Sequence, residues 1–130
     1  MLVGEAPGYR GARVSGVPFT SERQLTGSGP AEATATIVHR VLAEFGIEED
    51  VLLWNVVPTH PHCPGRPDTN RCPTAEEVEA SRTFLGALSH GRRLVPVGRL
   101  AEGALSIPGV RHPSRGGASA FRAGLRGLLA

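Results

Sequence analysis

The sequence predicts an α/β chain: a three-layer α/β/α sandwich around a central, mainly parallel four-stranded sheet. Two observations carry that expectation. Short strand-like runs at Met1–Val3, Val51–Trp54, Leu94–Val97 and Val110–Arg111 alternate with stretches of helical periodicity. The first of them stops at Gly-x-x-Pro-Gly and the others at similar polar, glycine or proline positions, as buried parallel strands do. Strand–helix alternation of this kind gives right-handed crossovers and helices on both faces of the sheet.

In chain order, Met1–Val3 enters the loop Gly4–Gly8, which carries one carboxylate, Glu5. Residues 9–30 are punctuated by Gly11, Gly16, Gly27 and Gly29 and read as a long irregular segment. Ala31–Phe45 reads as the first helix, with Ile37, Val38, Val41, Leu42 and Phe45 on one face and Gly46 at its end. Val51–Trp54 is the second strand, stopping at Asn55. Residues 58–73 hold five of the eleven prolines and read as loop. Thr74-Ala75-Glu76-Glu77 forms a capping box, which starts a helix running towards Ser89 with Val78, Leu85 and Leu88 on its apolar face. Leu94–Val97 is the third strand, with Pro96 an irregularity in its ladder. Gly98 turns into a short helix, Arg99–Leu105. Val110–Arg111, the fourth strand, leads to His112-Pro113-Ser114. A last helix from about Ser119 is expected to bury Phe121, Leu125, Leu128 and Leu129.

At 130 residues, with 40% apolar and 20% charged residues, the chain suits one domain, 1–130, burying about two-thirds of its unfolded surface. All fourteen basic residues are arginine, and the net charge is +2. Glu102 is the last acidic side chain; Arg111, Arg115, Arg122 and Arg126 follow it. Arg10, Arg13 and Arg23 form a second cluster offset only by Glu22. Two basic patches on a near-neutral chain point to a local anionic partner. Two cysteines, Cys63 and Cys72, make no disulfide framework, and no run is apolar enough for a membrane span. A cytoplasmic monomer with no membrane partner is expected.

Three polar motifs, Gly4–Gly8, Asn55 and His112–Ser114, each follow a strand. In a parallel sheet they share one edge, where ligands of open α/β sheets bind. An amide, an imidazole, a hydroxyl and a carboxylate rimmed by arginines suit a polar heterocycle attached to phosphate.

Taken in order, Gly-Glu-Ala-Pro-Gly (4–8), Gly-Val-Pro-Phe (16–19), Leu-Leu-Trp-Asn (52–55), Asn-Arg-x-Pro-Thr-x-Glu-Glu (70–77) and His-Pro-Ser (112–114) resemble the uracil-DNA glycosylase superfamily, most closely its thermostable iron–sulfur branch. The resemblance covers nearly the whole chain. It implies a monofunctional glycosylase of base excision repair, hydrolysing the N-glycosidic bond of uracil or a related deaminated base in DNA. Gly4, Ala6, Pro7 and Gly8 would form the base loop, and Phe19 would stack on the flipped base. Asn55 would read the pyrimidine edge, and His112 would stabilise the base oxygen that becomes negative. Ser114, Arg115 and Gly116 would hold the DNA backbone.

The departures carry information too. Ala6 stands where the most active branches place an aspartate or asparagine beside the attacking water, which leaves Glu5 as the carboxylate for that task. Gly8 stands where the uracil-strict branch has a tyrosine that excludes the thymine methyl, so looser selectivity is expected. Thr59 and Ser81 stand where two of the cluster cysteines would be; with only two thiols in the chain, no cluster and no cofactor are expected. His60, His62, Cys63 and Cys72 suffice in number for zinc, but their spacing fits no common pattern, and no metal is expected. The resemblance also implies a helical segment upstream of the first strand, to which nothing here corresponds, so an N-terminally short member is expected. Having no lysine, the chain has no lysine Schiff-base lyase step.

Two further readings remain. One is a non-catalytic member of the same fold that binds DNA or a damaged base. The other is an α/β domain for a small nucleotide, against which the lack of a Gly-x-Gly-x-x-G motif or a Walker-type lysine counts.

Overall fold

The computed structural model describes residues 1–130. Three short strands form one parallel sheet: β1 (Leu2–Gly4), β2 (Leu53–Asn55) and β3 (Val95–Pro96), in the order β2-β1-β3. β1 is therefore central, pairing Leu2, Val3 and Gly4 with Leu53, Trp54 and Asn55 on one side and Leu2 and Val3 with Val95 and Pro96 on the other. Six α-helices connect and cover the strands: α1 (Ala12–Ser15), α2 (Glu22–Thr26), α3 (Ala33–Phe45), α4 (Ala75–Ser89), α5 (Arg99–Leu105) and α6 (Ala118–Leu129).

Alternation along β1 separates two apolar layers. Leu2 faces one side, packing with Val38, Val41 and Leu42 of α3 and Phe121 and Leu125 of α6. Val3 faces the other, packing with Val56, Val57, Leu85 of α4 and Ala101 of α5. A strand buried on both faces needs an unbroken apolar run, which is why Leu2-Val3 contains no polar residue. Phe121 is fully buried, so Phe121→Ala costs about 3–5 kcal/mol.

The fourth strand is a correction. Val110 pairs with Val97 in parallel through one residue only, accepting from the Gly98 N–H at 2.9 Å and donating to Pro96 O at 2.8 Å. Extending this ladder backwards would need an N–H from Pro96 and another from Pro108, and neither exists. Forwards, Gly98 already turns into α5. The pairing is held to a single step.

Other expectations shift locally. Residues 9–30 are not wholly irregular, since α1 and α2 lie within them; α2 is closed by a capping box between Ser21 and Gln24 and ends at left-handed Gly27. β2 begins two residues later than read, after a 3₁₀ turn at Glu48–Asp50, and includes Asn55. Leu129 is half exposed rather than buried, because α6 ends beyond the edge of the core. The Thr74–Glu77 capping box is present, with Glu77 N–H donating to Thr74 Oγ1 at 3.2 Å and Thr74 N–H to Glu77 Oε2 at 2.8 Å. No helix is long and apolar enough to cross a membrane.

Candidate active site

The carboxyl end of β1 runs directly into Gly4–Gly8. β2 supports this loop beyond the strand: Val56 N–H donates to Gly4 O at 2.8 Å and Val57 N–H to Glu5 O at 3.0 Å. Gly4 is where three motifs meet. A Cβ at this position would lie 2.7 Å from Asn55 Oδ1 and 2.9 Å from Phe19 Cε2, so only glycine lets the ring and the amide reach the backbone here. Asn55 is 3% exposed and makes no hydrogen bond to another protein group through its amide. Phe19 is partly buried with φ 54°, a left-handed backbone rarely taken by an aromatic residue.

A cleft of about 850 Å³ begins at Glu5, the residue after Gly4, and its polar lining is Asn70, Arg71, Arg99, Glu102, Arg111, His112, Ser114 and Arg115; Gly4, Phe19 and Asn55 do not line it. His112 follows the single-step pairing at Val110. Its Nδ1 accepts the Ser114 N–H at 3.2 Å and lies 2.7 Å from the Ser114 hydroxyl. A nitrogen that accepts a backbone N–H carries no proton, which puts the imidazole proton on Nε2. Burial, and then the nearby Arg111 charge, pull the His112 pKa below its ordinary value and favour the neutral ring. Burial pushes the Glu5 carboxyl in the opposite direction, upward.

The remaining site candidates are distributed around these groups. Ala6 packs against the apolar layer of Val3 and Val57 and offers no polar atom. Pro7 is buried, and its carbonyl faces His60 Nδ1 at 2.7 Å. Ser114 orients His112. Arg115 is exposed at φ 53°, next to Gly116 at φ 76°, so the turn after His-Pro-Ser projects the guanidinium outward. Arg99, Arg111 and Arg115 have no carboxylate within salt-bridge distance.

Three contributors were given no site role from the sequence, although Asn70 and Arg71 open the 70–77 motif. Glu32 places its carboxylate against the end of the Gly4–Gly8 loop: a Cβ on Gly8 would lie 3.1 Å from Glu32 Cδ, and one on Gly11 2.6 Å from Oε2. Burial raises this carboxyl above its ordinary value too. The Gly8-x-x-Gly11 spacing was the available signal of a close approach. Asn70 accepts the Tyr9 N–H at 2.9 Å while lining the cleft. Arg71 lines it as well, held by two bonds to the Glu77 carboxylate at 2.7 and 2.8 Å.

His60 and His62 stack with centroids 5.5 Å apart, but their nitrogens face carbonyl oxygens of Pro7, Pro67 and Cys63. Cys63 and Cys72 are exposed and free. No three His, Cys, Asp or Glu side chains are grouped closely enough to hold a metal ion, and two thiols do not fit an iron–sulfur cluster.

Phe19 and Asn55 thus meet at Gly4, while His112 lines the adjoining cleft together with Glu5. The family model of the uracil DNA glycosylase superfamily matches residues 1–123, and the chain belongs to that superfamily. The comparison with curated proteins returns no match. Membership gives the chain a glycosylase-type, DNA-acting hydrolase fold.

Proposed function

We propose that the protein is a monofunctional DNA glycosylase that excises uracil, or a related deaminated base, acting as a cytoplasmic monomer without a metal or cofactor. The observation that carries the reading is His112: a neutral ring whose Nδ1 is occupied by Ser114, leaving Nε2–H as a donor at the cleft. Glycosidic bond cleavage leaves negative charge on the departing pyrimidine. A fixed donor aimed at that charge needs no reorganisation as the bond breaks.

The other residues follow as a sequence of tasks. The nucleotide leaves the duplex, and Phe19 takes over the stacking that its neighbours supplied. Asn55, buried and free of protein partners, offers one acceptor and one donor pair to the pyrimidine edge. Gly4, Ala6, Pro7 and Gly8 form the floor. As the bond to the sugar lengthens, charge builds on the base oxygen and is met by His112. Glu5, in its ionised form, accepts a proton from the water that captures the sugar cation. Ser114, Arg115 and Gly116 hold phosphate, joined by Arg99 and Arg111; such contacts give affinity without sequence preference.

Ala6 favours a second reading. Its position in the base loop carries no group to orient water, so a protein that binds the flipped base without hydrolysing it is the alternative. The two separate in an oligonucleotide assay. A labelled strand with one uracil is incubated with protein and then treated with alkali, which cuts at abasic sites. Cleavage at uracil by the wild type supports the enzyme; tight binding with no cleavage supports the binder.

A further inference from the structure

We propose that His39 is a positioning residue for Phe19: hydrogen-bonded between Glu48 and Thr20, it fixes the strained turn that presents the Phe19 ring beside Gly4. The proposal rests on the glycosylase reading for the ring's role, and on geometry for the rest.

The Gly16–Thr20 turn has two left-handed residues, Gly16 at φ 74° and Phe19 at φ 54°. Glycine takes that conformation freely, whereas phenylalanine must be held in it. Most of the turn's bonds are local. Ser15 Oγ donates towards Val17 O at 3.2 Å and Thr20 O at 2.5 Å, Val17 N–H donates to Ser15 Oγ at 3.1 Å, and Thr20 N–H donates to Val17 O at 3.2 Å. These shape the turn without fixing where it sits.

One side-chain bond ties the turn to a core helix. Thr20 Oγ1, on a residue 3% exposed, lies 2.9 Å from His39 Nε2 on α3. His39 Nδ1 lies 2.8 Å from Glu48 Oε1. A carboxylate only accepts, so Nδ1 donates to Glu48. Nε2 then accepts the Thr20 hydroxyl. When both ring nitrogens carry protons, Nε2–H donates to Thr20 Oγ1 and the hydroxyl turns to Pro18 O at 3.0 Å. Either arrangement holds Thr20, and with it the backbone that puts Phe19 over Gly4. α3 is a firm anchor, because its Val38, Val41 and Leu42 are in the core. Thr20 is buried and does not line the His112 cleft, so the Thr–His–Glu chain has a positioning role and not a nucleophilic one.

Steady-state excision of uracil by wild type, His39→Ala, Phe19→Ala and the double variant tests the idea. A mislaid stacking platform weakens binding of the flipped base before and during bond cleavage alike, which raises KM and spares kcat. His39→Ala is expected to raise KM about tenfold with kcat within about twofold, and to add nothing in the Phe19→Ala background. His39→Gln, whose amide keeps both an acceptor and a donor for Thr20, restores most of the loss. A fall in kcat at unchanged KM, or losses that multiply in the double variant, overturns the proposal. If the wild type excises no uracil, the functional reading fails, and amide exchange of the free protein decides this one. The Thr20 amide must then exchange about tenfold faster in His39→Ala, with Val41 and Leu42 unchanged and His39→Gln restored. Equal exchange at Thr20 overturns it.

Discussion

The arginines beyond Glu102 form one run in the sequence and two unlike groups in the structure. Arg122 and Arg126 lie on α6 and meet Glu44 of α3; Arg122 Nε donates to that carboxylate at 2.8 and 3.0 Å, and Arg126 approaches it at 3.5 Å. Both guanidiniums also lie over the Phe45 ring, at 5.9 and 5.5 Å from its centre. The Arg122 bond holds the Glu44 carboxyl below its ordinary value. Arg111 and Arg115 flank His112 with no acidic partner. Paired arginines join two helices on one face of the sheet; unpaired ones leave positive charge at the cleft. A run of like charge is thus not one patch until the topology shows where each residue points.

The largest test of this division removes chemistry at the cleft. His112→Ala should lower uracil excision by about 10²–10³-fold with the fold intact, as removal of one fixed donor to a developing anion does. Asn55→Ala should fall comparably. Arg122→Ala, on the paired side, should leave excision within about twofold, since surface pairs contribute little. Loss of activity in Arg122→Ala would erase the division.

Next comes binding. Each of Arg111→Ala and Arg115→Ala should weaken DNA affinity and lower the dependence of log K on log salt by about one unit. Fluorescence anisotropy across a salt series measures both. Arg126→Ala should change neither.

The acid limb of the pH–rate profile is a smaller effect. The Glu5 carboxyl is raised by burial, so excision should fall as pH drops through a midpoint above the ordinary carboxylate value of 4.5. Glu5→Gln should lower the rate and flatten that limb. The smallest effect lies away from the cleft floor. The hydrogen bond from Arg71, followed by that from the Thr74 backbone, lowers the Glu77 pKa to about 2. A depressed carboxyl stabilises the fold above its unfolded pKa. That contribution, which joins the proline-rich loop to α4, should therefore persist near pH 4.5 and vanish as pH falls through about 2. NMR titration of the Glu77 side chain reads it.

The strand ends and long helices were legible because each depends on short-range pattern: apolar pairs followed by Gly or Asn, the Thr74 capping box, and the face of Ala33–Phe45. Gly4 and Asn55 were legible together because β1 and β2 pair in parallel and place these residues opposite each other at their carboxyl ends; Phe19 joins them through a turn and not a strand end. The fourth strand was misjudged because its pairing fails on two prolines, Pro96 and Pro108, which confront each other only once the chain is folded. Glu32 and His39 were invisible for a related reason. Each lies near or on a helix as one polar residue among many, and only packing brings it against Gly8 or Thr20. Ala6 was noted as a departure, and its half-buried methyl packs against the apolar layer around Val3.

The most direct measurement is the release of free uracil. Duplex and single-stranded DNA with one uracil are incubated with wild type, His112→Ala and Arg122→Ala, and the freed base is quantified by mass spectrometry. Base excision that depends on His112 gives multiple turnovers of free uracil from wild type and Arg122→Ala, and loss of about 10²–10³-fold in His112→Ala. No free uracil from the wild type, or equal release by His112→Ala, would contradict it.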